Sequence, residues 1–191
     1  MKKLLLILFV FGCENTITDT SDNPDSIDYG VVINEINYHS SENFDTEDWV
    51  ELYNPNNITV QIGLWEFKDS GDNVFIFPEN QEMPPESYLV LCKDLDAFSQ
   101  LFPNVSNIIG GFEFGFNNAG EQIRLFDSDG LLVDIVEYND TSPWPIASDG
   151  NGPTLELVDP SSDNSLGENW SSSNVNGGTP GEINSVIDEQ Y

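Results

Sequence analysis

From Val31 onward the chain is cut into short apolar runs by clusters of Gly, Asp, Asn, Ser and Pro. The intervals leave no room for helical crossovers between strands, so βαβ units are not expected and an all-β fold is. Val31 to Tyr38, Trp49 to Tyr53, Thr59 to Lys68 and Val74 to Phe77 read as strands. In the third of these, Val60, Ile62 and Leu64 alternate onto one side. Tyr88 to Cys92 is a continuous apolar run, and Thr154 to Val158 is a last strand. Gln122 to Phe126 and Leu131 to Val136 form the clearest hairpin, because Asp127-Ser-Asp-Gly130 supplies a residue that tolerates positive φ. These make about eight strands at the spacing of a sandwich. The one helical candidate is Asp94 to Phe102, where Leu95, Phe98, Leu101 and Phe102 share a face and Pro103 stops it. With 38% hydrophobic and 12% aromatic residues, the chain can fill a core. No internal repeat is visible.

The first residues read as an address. Met1-Lys2-Lys3 is a basic start, Leu4 to Phe11 is unbroken apolar sequence, and Gly12-Cys13 follows. The run matches a signal-peptide core and falls well short of a bilayer span. Val10-Phe11-Gly12-Cys13 resembles the bacterial lipobox, which implies a signal peptide over 1–12 and a diacylated Cys13 as the mature N-terminus. Phe11 is bulkier than that motif favours, so cleavage by an ordinary signal peptidase stays open, with a secreted product. Residues 13–29 are Asp, Ser, Thr and Asn around Pro24, the composition of an extended acidic tether. The folded domain is expected over 30–184, with a polar tail at 185–191.

Charge narrows the partners. Five Lys and Arg stand against 34 Asp and Glu, a formal charge of −29, and Lys2 and Lys3 belong to the leader. A surface this acidic repels phosphate backbones, so nucleic acid is a poor partner, while cations and basic surfaces suit it.

A set of ordered segments carries a resemblance. Ile33-Asn-Glu-Ile-Asn37, Asp48-Trp-Val-Glu-Leu-Tyr-Asn-Pro55, Leu64-Trp-Glu-Phe-Lys-Asp69 and Phe75-Ile-Phe-Pro78 form its first half. Pro85-Glu-Ser-Tyr-Leu-Val-Leu-Cys92, Asn118-Ala-Gly-Glu-Gln-Ile-Arg-Leu-Phe-Asp127 and Asp129-Gly-Leu-Leu-Val-Asp-Ile-Val-Glu-Tyr138 continue it. Trp144-Pro145, Asp149-Gly-Asn-Gly152, Leu155-Glu-Leu157, Asn169-Trp170 and Gly178-Thr-Pro-Gly181 complete it. Together they resemble the lamin-tail domain as found in bacteria, over Val31 to Asn184. The resemblance implies an immunoglobulin-like β-sandwich with no catalytic residues of its own.

Candidate chemistry is sparse. The only histidine, His39, sits in a polar loop, and Cys92 sits inside an apolar strand where a small buried hydrophobe is expected, so a Cys–His pair is disfavoured. No phosphate-binding glycine loop and no paired Cys or His for zinc is present. Glu35 and Glu51 lie on neighbouring strands and are the candidates for two-acid hydrolysis, which needs a substrate-sized cleft between them. Their expected role is to accept hydrogen bonds and fix strand register. Calcium is the one ion with candidate ligands, at Asp127 and Asp129, at Asp69 and Asp72, and at Asp159 and Asp163, although Asp and Ser in turns need no metal to explain them. Trp49, Trp65, Trp144 and Trp170 read as packing residues rather than a sugar platform. The expectation is a non-catalytic module without a cofactor, tied to the membrane by its lipid anchor alone, with a protein or polysaccharide of the cell envelope as partner. The rival expectation is an accessory or weak hydrolase using Glu35, Glu51 or a calcium-dependent site.

Overall fold

A computed structural model describes residues 29–71 and 73–187. The expected leader, Cys13, most of the tether and Asp72 lie outside the described residues, as do the last four positions. In chain order the strands are β1 (Val32–Asn37), β2 (Trp49–Asn54), β3 (Val60–Gln61), β4 (Glu66–Lys68), β5 (Val74–Ile76) and β6 (Glu82–Met83). They continue with β7 (Ser87–Cys92), β8 (Ile108–Gly110), β9 (Gly120–Phe126), β10 (Leu132–Asn139), β11 (Leu155–Leu157) and β12 (Trp170–Ser172), and α1 (Leu95–Leu101) follows β7. A six-stranded sheet in the order β12-β11-β1-β2-β7-β8 faces a four-stranded sheet in the order β10-β9-β4-β5, and β3-β6 form a small ribbon. The expected immunoglobulin-like sandwich with one short helix is the architecture observed, but the expectation of no helical crossover fails at one edge: α1 packs over the outer face and returns the chain as β8, parallel to β7.

Alternation explains the space between the sheets. Val50, Leu52, Leu89, Leu91, Leu155 and Leu157 point inward from the larger sheet, and Phe67, Ile123, Leu125 and Val136 from the smaller. All ten are fully buried, each worth roughly 1.5–3 kcal/mol of transfer free energy. Phe112, Phe114 and Phe116, from the loop before β9, pack their rings around Phe67.

The larger sheet is also covered on its outer face, which is why β7 is apolar without alternation. Trp49, Val90 and Cys92 pack there against Phe98 of α1, with Leu95, Phe102, Val105 and Ile108 around them. Asp94 caps α1, accepting from the Asp96 and Ala97 amides at 2.9 Å each, so the expected Asp94 to Phe102 segment is helical one residue in from either end.

Two departures from the expected strands have local causes. Thr59 to Lys68 is two strands in different sheets, broken at Gly63 and Leu64. A Cβ on Gly63 would stand 2.0 Å from the Glu79 carbonyl oxygen, and Leu64 takes φ 63°. Leu64 therefore leaves the side it was expected to share with Val60 and Ile62, and half its surface is exposed. The second departure is the count: β6, β8 and β12 are two or three residues long and carry too little pattern to be read.

A bulge in β1 sets up the site. Ile33 pairs with Leu52 but Glu35 pairs with Glu51, so two residues of β1 answer one of β2. Ile33 and Ile36 thereby both reach the core, and Glu35 turns to the outer face beside Glu51.

Candidate functional site

Glu35 is the Cα partner of Glu51 on one side and of Glu156 on the other, so three carboxyl groups stand in a row across β11, β1 and β2. All three residues are fully buried. The cover is the C-terminal segment 174–187, which crosses the outer face of the sheet as a strap. Glu35 Oε1 accepts from Thr154 Oγ1 at 2.5 Å and from the Thr179 amide at 3.1 Å. Glu51 accepts from Asn34 Nδ2 at 3.0 Å and from the Gly181 amide at 2.6 Å. Glu156 accepts from Thr179 Oγ1 and Ser185 Oγ, both at 2.8 Å, and from the Val186 amide at 3.1 Å. Beside the row, Asn34 and Asn184 exchange side-chain hydrogen bonds, and Asn184 also donates to the Leu157 carbonyl. Ser185 and Val186, expected within a polar tail, are thus tied to the sheet.

The electrostatics follow from this burial. Removal from water raises the Glu35 carboxyl well above the usual carboxylate range, and the charges of Glu51 and Glu156 push it further. Burial pushes Glu51 up to about 8 against hydrogen bonds from Gly181 and Asn34, and raises Glu156 as well. Glu51 therefore keeps its proton at neutral pH, and burial drives Glu35 and Glu156 in the same direction. Glu35 Oε2 is buried without a hydrogen-bond partner. The strap approaches so closely that a Cβ on Gly178 would lie 1.8 Å from Glu35 Oε1.

Glu35 and Glu51 are thus brought together, with Glu156 as a third member the sequence reading missed. Leu-Glu-Leu looks like an ordinary strand with its acid in water, and only the strap overturns that. What Glu35 and Glu51 lack is a cleft between them. An open groove of about 310 Å³ runs beside the row, walled by Leu101, Phe102 and Val105 on one side and by Val175, Thr179 and Pro180 of the strap on the other.

The other candidates are dispersed. His39 Nδ1 meets Asp149 Oδ1 at 2.6 Å, on the rim of an open acidic basin that includes Glu42, Asp45 and Glu47. Cys92 is a free thiol in the packing beneath α1, and burial pushes it up to about 12, far from a thiolate nucleophile. Asp127 Oδ1 accepts from the Asp129 and Leu131 amides and its Oδ2 from the Tyr29 hydroxyl. Asp69 accepts from the Gly71 amide and from Asn73 Nδ2. Asp159 and Asp163 likewise accept from Ser161 and Ser165 in their own turns. Among the described residues no group of three or more His, Cys, Asp or Glu side chains is arranged to hold a metal ion. Trp49, Trp65, Trp144 and Trp170 are each at most 7% exposed, and Trp144 lies 5.8 Å from Trp170 centroid to centroid. No helix among the described residues is long and apolar enough to cross a membrane.

No curated protein matches the chain. The family model described as Lamin Tail Domain matches residues 26–140, more than half of the sequence and all of β1 to β10. Strands β11 and β12 lie beyond that match, yet β11 pairs with β1 and carries Glu156, so one sandwich includes both parts. With this match, the ordered segments and the two facing sheets in agreement, the chain belongs to the lamin tail domain family.

Proposed function

We propose that this protein is a non-catalytic module of the bacterial cell envelope, anchored by a lipid on Cys13, extended on its acidic tether, and presenting its surface to an envelope protein or polysaccharide. The observation that carries the non-catalytic reading is the closure of the glutamate row. Glu35 and Glu51, the paired acids best suited to hydrolysis, are fully buried under the strap with no room between them for a substrate. The anchor and the export rest on the leader sequence and its Gly12-Cys13 end.

The rival is a weak hydrolase in which a protonated Glu35 or Glu51 acts as general acid; the raised positions of both groups are what favour it. An assay of the purified mature protein against glycoside, phosphoester and peptide substrates separates the two. No turnover is expected. Turnover that falls in Glu35→Gln or Glu51→Gln overturns the reading. For the anchor, Cys13→Ser is expected to abolish acyl labelling and to release the protein from the membrane fraction.

A further inference from the structure

The strap is held to the sheet by acids rather than by apolar anchors. Val175 and Ile183 are 49% and 57% exposed, and Pro180 is the one buried apolar side chain between Asn174 and Ile187. Against this, five donors of the strap end on the three carboxyl groups: the Thr179, Gly181 and Val186 amides and the Thr179 and Ser185 hydroxyls. Asn184 adds the bonds to Asn34 and Leu157.

Among the described residues no cation faces the row. Lys68 pairs with Glu66, Lys93 with Glu47, and Arg124 donates to the Asp69 and Gly71 carbonyls. His39 is engaged by Asp149. Of the other titratable neighbours, the Tyr88 phenol on β7 is held neutral chiefly by burial, and Glu182 on the strap is exposed beside the groove. Protons are therefore what can neutralise three adjacent buried carboxyl groups here.

We infer that residues 174–187 form a proton-gated strap, docked while the Glu35–Glu51–Glu156 row holds protons and lifted from the sheet when the row ionises. The inference goes beyond the binding reading and does not depend on it. When the strap lifts, water reaches the row, each carboxyl releases its proton to solvent, and the five donors exchange carboxyl oxygens for water. The groove loses its Val175–Thr179–Pro180 wall in the same step. The docked row keeps protons that an open row gives up, so each unit of pH multiplies the opening constant by about ten per proton released. For Glu51 alone that window runs from its ordinary 4.5 up to about 8.

Hydrogen exchange on the full mature chain at pH 5.5, 7.0 and 8.5, divided by intrinsic exchange rates, tests this. The opening constants of the Thr179, Gly181 and Val186 amides are expected to rise at least about 30-fold between pH 5.5 and 7.0, the value for a single proton over one and a half units. The amides shared by β2 and β7 are expected to stay more protected throughout. Glu35→Gln is the informative variant, because Glu35 Oε2 has no donor against it and accepts an amide nitrogen without conflict. It is expected to lower the slope by the proton Glu35 no longer carries, and to leave the strap more protected at pH 8.5 than in the parent. Strap opening independent of pH overturns the inference, as does exchange of strap and β2 in one common step, or an unchanged slope in a folded Glu35→Gln protein. Should that variant not fold, the parent's pH series decides alone.

Discussion

The closeness of the strap to the glutamate row has a measurable cost attached to one missing methyl group. Gly178 has φ 77°, and a Cβ there would stand 1.8 Å from Glu35 Oε1 and 2.5 Å from Thr154 Oγ1. Gly178→Ala pays first for the left-handed backbone, about 1–2 kcal/mol. The overlap must then break the Thr154–Glu35 hydrogen bond or lift the Thr179 amide from Glu35, leaving a buried polar group unsatisfied at about 1–3 kcal/mol. The sum is about 2–5 kcal/mol, a large share of the roughly 5–15 kcal/mol that holds a domain together. Two other glycines separate the parts. Gly130 has φ 80° with nothing within 4 Å of its Cβ position, and Gly181 has φ 83° with only Val105 methyls nearby, at 3.3 Å and beyond. Ala at Gly130 is expected to cost the backbone part alone, and Ala at Gly181 that part plus a small shift of the Val105 side chain. Urea unfolding of the three variants at pH 6, compared at constant slope, isolates the contact as the difference between Gly178→Ala and Gly130→Ala. A difference below about 0.5 kcal/mol, the level at which independent effects add, refutes the claim that strap and row are in tight contact.

Other consequences are simpler. The carboxyls of the row sit above their unfolded values, so the stability they contribute is fully present below about 4.5 and is lost as pH rises through about 8; urea midpoints are expected to fall from pH 5 to pH 8.5, and to fall less in Glu35→Gln. Phe67→Ala, at the hub of the Phe112, Phe114 and Phe116 rings, is expected to cost about 3–5 kcal/mol by urea unfolding, against little for an exposed Ile146→Ala. Cys92 is expected to resist thiol reagents in the native protein and to react fully in urea, as read by mass shift. Millimolar calcium is expected to leave the thermal midpoint unmoved, because Asp127 and Asp69 already accept hydrogen bonds on both oxygens within or beside their own turns.

What was legible in the sequence is what local chemistry decides. Asp127-Ser-Asp-Gly130 specifies its hairpin because the carboxylate accepts from two amides of the turn and Gly130 takes the positive φ, all within five residues. The α1 stop at Pro103 and its Asp94 cap are equally local. Cys92 reads as core for a related reason, since an unbroken apolar run in a sandwich must be covered on both faces. The failures are nonlocal. The break at Leu64 depends on Glu79, and the role of Glu156 depends on Thr179 and on Ser185, 29 residues further on. Alternation assigns Glu156 and Glu51 to the outer face, which is right, and to water, which is wrong, because period two says nothing about what another segment lays over that face.

The same point bears on why acids stand in the row. Apolar residues of similar size would bury without a desolvation cost, and replacing buried charged groups in that way is often neutral or stabilising. They would also hold the strap without direction, since apolar contact tolerates sliding. Carboxyl oxygens do not: Thr179, Gly181 and Val186 each find an acceptor only where Glu35, Glu51 and Glu156 stand, one strand spacing apart. The glycines at 177, 178 and 181 all take positive φ, which suits a backbone whose amides must turn toward the sheet at set points. Register and the response to rising pH thus come from one arrangement, and a variant that substitutes apolar residues for the whole row should lose both together.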